Sequence, residues 1–262
     1  MSENENMQER KEVKNYRLGT EAFPIWKQIT LFAVGWLGFQ ILALLYQAFI
    51  VGILRNALAN GYIQSVDQYL LSMTINSITY IFLLIILLCI SYIDIPKLLK
   101  SFKHWQSYLA GAICFAAIMT FNIQYNLFIN TLRTIGILKN PVSDNINQAS
   151  LVSLDKLYPL TSLIIFGFIG PICEELTYRV GLFSLCKRRS RALAYVITII
   201  VFAFIHFNFD TKNLLNEILN LPFYAFAAAA FSFTYDHFGF AGSLTGHVIN
   251  NVFSLAFVAT IH

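Results

Sequence analysis

Six polar residues stand inside stretches that are otherwise apolar. Glu174, Glu175 and Arg179 lie in PLTSLIIFGFIGPICEELTYRVGLFSLC; His206 lies in VFAFIHFNF, four residues after Phe202; His247 and Asn251 lie in GHVINNVF. Their types suit hydrolysis. A carboxylate and an imidazole can share and polarise a water, while a second imidazole and a carboxamide can donate to an oxyanion. An ionised side chain at the centre of a membrane helix costs roughly 2.5–3.5 kcal/mol, so such residues mark a pathway or a site. Glu175 and Arg179 are four apart in the favourable acid-first order, which predicts an ion pair on one helix face. Glu174 is turned about 100° away, with only Tyr178 four residues on, and is left available as a base. Pro171, just upstream, loosens the backbone and can admit water.

The elements that must carry these residues follow from composition. Of 262 residues 57% are apolar and only 12% charged, and the mean hydropathy is +0.61. Soluble domains carry about 25% charged residues. A soluble enzyme, a nucleic-acid binder and a disordered scaffold are therefore excluded together, and the lipid bilayer is the expected solvent. Apolar runs of spanning length occur near 28–53, 70–93, 107–131, 159–186, 192–209, 214–236 and 240–262. They predict an all-α, polytopic transmembrane helix bundle of about seven spans, seven to eight in all. Residues 1–26 read as a charged cytoplasmic tail, retained ahead of an uncleaved first helix, and 27–262 as a single membrane domain. Outside Arg179, twelve Lys and Arg fall in the tail and loops of one side against five on the other. That asymmetry predicts a cytoplasmic N-terminus, and seven spans put the C-terminus outside.

Depth along the spans brings the polar residues together. Counting from the cytoplasmic ends at 1.5 Å per residue, Glu174 and His206 each lie about 20 Å deep, Asn251 about 17 Å and His247 about 10 Å. Four groups from three helices are thus expected in one buried layer. His104 and His237 are expected in loops, and neither they nor His262 receive a role. Asn250 is read as a helix–helix hydrogen bond, and the run AFAAAAF at 225–231 as close packing. Cys89, Cys114, Cys173 and Cys186 have no CxxC spacing and predict neither a disulfide framework nor a zinc knuckle.

EELTYR (174–179), FAFIH (202–206) and HVINN (247–251) match EExxxR, FxxxH and HxxxN. In this order, each on its own span, they resemble the motifs of the CPBP family, the CAAX-protease and bacteriocin-processing group of intramembrane endopeptidases. The resemblance covers about residues 155–260. It implies Glu174 as the base that activates water, assisted by His206, with His247 and Asn251 stabilising the oxyanion. Glu175, Arg179 and Phe202 would support and shape the site. It also implies a further helix after HxxxN, where this sequence ends at His262, and a peptide or lipidated-protein substrate in the bilayer, with no nucleic acid. Members are widely described as metalloproteases. Zinc would be held by Glu174, His206 and His247, although Asn251 in the fourth place suits an oxyanion donor better, and a metal-independent glutamate mechanism is favoured.

No HExxH, GxGD or GxSG sequence offers another intramembrane protease chemistry. Two rivals stand beside the hydrolase: a non-catalytic bacteriocin-immunity or scaffold protein, and a proton-coupled transporter. The transporter would need polar residues in both halves of the bundle, whereas here they concentrate in the fourth, fifth and seventh runs. A bacterial plasma membrane, with a leader or pheromone peptide as substrate, is the expected setting.

Overall fold

The computed structural model describes residues 23–138, 146–209 and 214–261. Residues 1–22 of the tail lie outside them. The described residues form eight helices and no strand. They are α1 (Ile25–Ala59), α2 (Gln68–Ser91), the short α3 (Ile95–Leu99), α4 (Trp105–Thr134), α5 (Ile146–Leu157), α6 (Pro159–Lys187), α7 (Arg191–Ile205) and α8 (Leu214–Ile261). A 3₁₀ turn, Lys100–Lys103, joins α3 to α4. Polar caps set some of the boundaries: Asp67 accepts the N–H groups of Tyr69 and Leu70 to start α2, and Ser190 accepts that of Leu193 to start α7.

Among the described residues five helices are long and apolar enough to cross a membrane: α1, α2, α4, α6 and α8. Helix α7 has 15 residues, about 22 Å, less than the roughly 30 Å of a hydrocarbon core. Helix α8 combines the two runs read at 214–236 and 240–262. It is a hairpin of two arms, pivoting on Gly239, whose φ of 76° and ψ of −171° break the helix. The positive φ and the Ser101 side chain, 3.0 Å from where a Cβ would stand, both demand glycine there. The two arms lie against each other: the Phe231 ring stacks on that of His247, each eight residues from the pivot, and Thr234 faces Gly242. The seven apolar runs therefore correspond to seven helical segments, counting each arm of α8.

The basic loops gather at one end of the bundle. There Asp94 pairs with Lys27 and, at 2.6 Å, with Lys97. Asp236 pairs with Lys187 at 3.0 Å and with Arg191 at 2.6 Å. Arg188 donates to the Phe23 carbonyl and to Gln28, and Ser101 accepts the Ala241 N–H beside the pivot. His237, expected in a loop, belongs to the first arm of α8 and bonds to Arg191. At the opposite end Tyr158 meets Asp67 and Tyr125 donates to the Leu219 carbonyl.

The most polar span, α6, occupies the centre, with Glu175 through Ser184 buried without a break. Small residues let its neighbours and the α4–α8 pair close up. A Cβ on Gly111 of α4 would stand 2.8 Å from the Gly242 carbonyl oxygen and 2.9 Å from the Gly246 nitrogen. Gly242 and Gly246 form a GxxxG stripe, the arrangement by which membrane helices pack at backbone distance.

Candidate active site

Helix α6 departs from α-geometry twice, in the π-helical segments Leu163–Ile169 and Glu175–Phe183, with Gly170–Glu174 between them. Such departures are common at functional sites. Here one has an identifiable effect. The Gly170 N–H bonds five residues back, to the Ile165 carbonyl. In that register the Phe166 carbonyl would take the N–H of residue 171, which is proline and has none. The Asn251 Nδ2 amide donates to the Phe166 carbonyl instead, at 2.9 Å. The helix defect is a socket that ties the second arm of α8 to α6.

Glu174, His206, His247 and Asn251 all line one cavity of about 550 Å³, together with Tyr80, Tyr178, Phe202 and Tyr224. The four candidate residues come from α6, the end of α7 and the second arm of α8, as the depth count predicts. Glu174 is partly open to the cavity, its side chain 19% exposed; its Oε2 is 3.7 Å from His247 Nε2. That is longer than a hydrogen bond and short enough for one water to touch both.

Glu175 does not share that space. It is fully buried and accepts a hydrogen bond from His247 Nδ1 at 2.9 Å. Its Oε1 is also 3.5 Å from Arg179 Nη1, an ion pair without a hydrogen bond. The Arg179 guanidinium is itself fully buried, and it lies 4.6 Å from the Phe202 ring centroid and 5.3 Å from that of Phe231. Cation–π contacts thus take the place of hydrogen bonds around it.

Partners on the Nδ1 atoms select the tautomer of both imidazoles. His206 Nδ1 is 2.8 Å from the Phe202 carbonyl, which can only accept, so Nδ1 carries the hydrogen. The Glu175 carboxylate makes the same demand on His247. In each neutral ring Nε2 is then the nitrogen that can take up a proton.

Aromatic plates fix the ring planes. Tyr224 stacks on His206 with centroids 4.4 Å apart and planes 14° apart; Phe231 stacks on His247 at 4.4 Å and 19°. Tyr224 and Phe231 are seven residues apart on the first arm of α8, hence on one face, and Phe202 lies against both histidines. Sequence reasoning assigned this arm only packing. The available signal was the aromatic pair at i and i+7 within an alanine-rich run. Just after His206 the chain is anchored by Glu217, which accepts the Asn208 N–H at 3.1 Å.

Asn250 differs from expectation. It donates to its neighbour Asn251 Oδ1, at 3.3 Å, and so orients that carboxamide rather than bridging helices. The Cys173 thiol faces the Tyr80 carbonyl, and all four cysteines are free. Among the described residues no three His, Cys, Asp or Glu side chains are grouped to hold a metal ion. Glu174, His206 and His247 supply suitable donor types for zinc but do not converge as a ligand set, so the chemistry is derived from protein groups and water.

No curated protein and no solved structure matches the chain. One family model does, and it matches residues 156–253. These residues carry all three motifs and every candidate side chain described above, and the resemblance read from the motifs is borne out. Over that stretch the chain is similar to the Rce1-like type II CAAX prenyl endopeptidases, a family that implies a membrane protease.

Proposed function

We propose that the protein is an intramembrane endopeptidase that hydrolyses a peptide bond of a membrane-associated substrate, either a lipidated CAAX-type protein or a bacterial leader or pheromone peptide. Residues 1–26 form its cytoplasmic tail, 27–262 its membrane domain, and about 155–260 its catalytic core, in a bacterial plasma membrane. The observation that carries this reading is the meeting of Glu174, His206, His247 and Asn251 on one cavity.

Glu174 takes a proton from a water that also touches His206 Nε2, and the water oxygen attacks the scissile carbonyl carbon. The carbonyl oxygen gains the negative charge. It is met by the second Nδ2 hydrogen of Asn251 and by His247, which donates from Nε2 when protonated; buried Glu175 stabilises that imidazolium through Nδ1. Collapse of the tetrahedral intermediate breaks the C–N bond, and the proton held by Glu174 passes to the leaving amine.

Glu174→Gln tests the reading. Cleavage of a membrane-tethered peptide reporter is expected to fall by about 10²–10⁴-fold while expression and membrane insertion stay normal. Cleavage at the parental rate would refute hydrolysis by this carboxylate, and an undiminished biological effect without cleavage would favour the immunity or scaffold reading.

A further inference from the structure

Glu174, His206, His247 and Asn251 all come from the stretch that the family model matches, but the cavity has a wall outside it. Helices α1 and α2 supply that wall, and Tyr80 of α2 carries a hydroxyl into it. Counted from the basic end of the bundle, Tyr80 lies eleven residues up α2 and Glu174 thirteen up α6, about 16 and 20 Å. Cys173, the residue before Glu174, places its thiol 3.8 Å from the Tyr80 carbonyl, which sets the two helices in register.

The Tyr80 ring lies over Gly170. Its Cε1 and Cζ stand 3.6 and 3.8 Å from where a Cβ would be, so no side chain separates it from the α6 backbone. The Phe39 ring, with centroids 4.9 Å apart, and the Phe166 ring, edge-on at 6.1 Å, hold it there. This position joins two parts of the site. Gly170 and Glu174 are four apart on one face of α6, and helical side chains lean back toward the N-terminus, so Glu174 reaches toward the space over Gly170. The carboxylate and the phenol are close enough for the charge of one to act on the other. One turn earlier stands Phe166, whose carbonyl holds the Asn251 amide at 2.9 Å. The Tyr80 hydroxyl, carried on Cζ, makes no hydrogen bond among the described residues and is not sealed from the cavity. A phenol donor without a protein partner is available to what enters that cavity.

We infer that Tyr80 is a further catalytic residue: its hydroxyl donates to the scissile carbonyl oxygen as that oxygen becomes negative, beside the Asn251 amide. The inference rests on the endopeptidase reading. Negative charge begins on Glu174 and passes to the substrate oxygen once Glu174 has taken a proton from the water. A hydroxyl that turns about its Cζ–O bond can follow this charge. It keeps its own proton throughout, and it needs no proton uptake in order to donate, as His247 does. A donor aimed where charge develops stabilises the transition state more than the bound peptide.

Tyr80→Phe removes this hydroxyl and leaves the ring. In the full-length chain, kcat for the membrane-tethered reporter is expected to fall by about 100-fold, the value of one oxyanion donor, with KM and Tm unchanged. A peptide phosphinate, whose charged tetrahedral group resembles the intermediate, should lose affinity by the same factor. Fluorotyrosine at position 80 restores a hydroxyl and should restore the rate. A raised KM with kcat unchanged overturns the inference, as does a loss of rate that tracks a loss of Tm and is not recovered by fluorotyrosine. Should Tyr80→Phe cut at the parental rate while Glu174→Gln does not, the inference falls and the endopeptidase reading stands. Should Glu174→Gln also cut at the parental rate, both fall.

Discussion

Glu175→Gln removes one charge from the most enclosed part of the molecule and leaves the shape unchanged. In the parent, the Glu175 carboxylate accepts from His247 and lies 3.5 Å from the Arg179 guanidinium, both residues at 0% exposure. The variant leaves Arg179 as a buried cation without a counter-ion. Breaking a buried pair from one side costs about 3–5 kcal/mol. The rings of Phe202 and Phe231 still face the cation and retain up to about 2 kcal/mol of its stabilisation. The expected loss is therefore near the lower end, about 3 kcal/mol, or on the order of 6–12 °C in Tm for a chain of this size. Adding Arg179→Met removes the stranded charge, and an apolar replacement of a buried pair is often neutral. Thermal unfolding in one detergent, run as a double-mutant cycle, measures both steps. Most of the lost stability should return in the double variant, while cleavage stays low because His247 has lost the carboxylate that supports its charged form. A single variant within about 1 kcal/mol of the parent, or a double variant no better than the single, would refute the role given to the pair.

Three further outcomes follow from the geometry. Pro171→Ala supplies an N–H that competes with Asn251 for the Phe166 carbonyl; kcat should fall about two- to tenfold, the value of one hydrogen bond, with KM little changed. An unchanged kcat in a steady-state assay would show that the socket does not hold Asn251. Gly111→Ala pushes a methyl against the backbone of Gly242 and Gly246 and should cost about 1–3 kcal/mol in thermal stability, whereas Gly52→Ala, with open space around it, should not destabilise. Asp94 sets an acid limit: burial raises its pKa, but hydrogen bonds and charge from Lys27 and Lys97 outweigh this and hold it below the usual value. A depressed folded-state pKa gives stability that is present above about 3.9 and lost as pH falls through the lower folded value. The Tm of the parent should therefore drop more steeply below about pH 4 than that of Asp94→Asn, which starts lower.

Much of the site was legible because residue counting measures depth. Helices α6 and α7 are joined at the basic end by a short turn, so thirteen residues back from Lys187 and about as many forward from Arg191 reach the same layer. The Glu175–Arg179 spacing predicted their pairing for the same reason. What escaped notice had no distinctive residue type. Tyr224 and Phe231 look like any aromatic residues in an apolar span, and their stacking on the histidines depends on the tertiary position of the α8 arm. The Phe166 carbonyl is backbone, and its availability follows from a π register that side-chain patterns do not announce. Helix α5 falls between the apolar runs at 107–131 and 159–186, and its twelve residues of mixed character are too few to mark a span. The packing of Gly242 and Gly246 against Gly111 likewise depends on which helix α8 meets, which an apolar run does not reveal.

The single-residue pivot at Gly239 has a consequence for how this chain can change. Phe231 and His247 each sit eight positions from it, so their alignment is a matter of equal arm length as much as of side-chain identity. Losing one residue from either arm would turn everything beyond by about 100° and slide it by about 1.5 Å, carrying plate and imidazole out of step. Substitutions within these sixteen steps can be absorbed one at a time. A change of length cannot, unless the other arm changes by the same amount, which makes the hairpin a ruler that tolerates rewriting but not recutting.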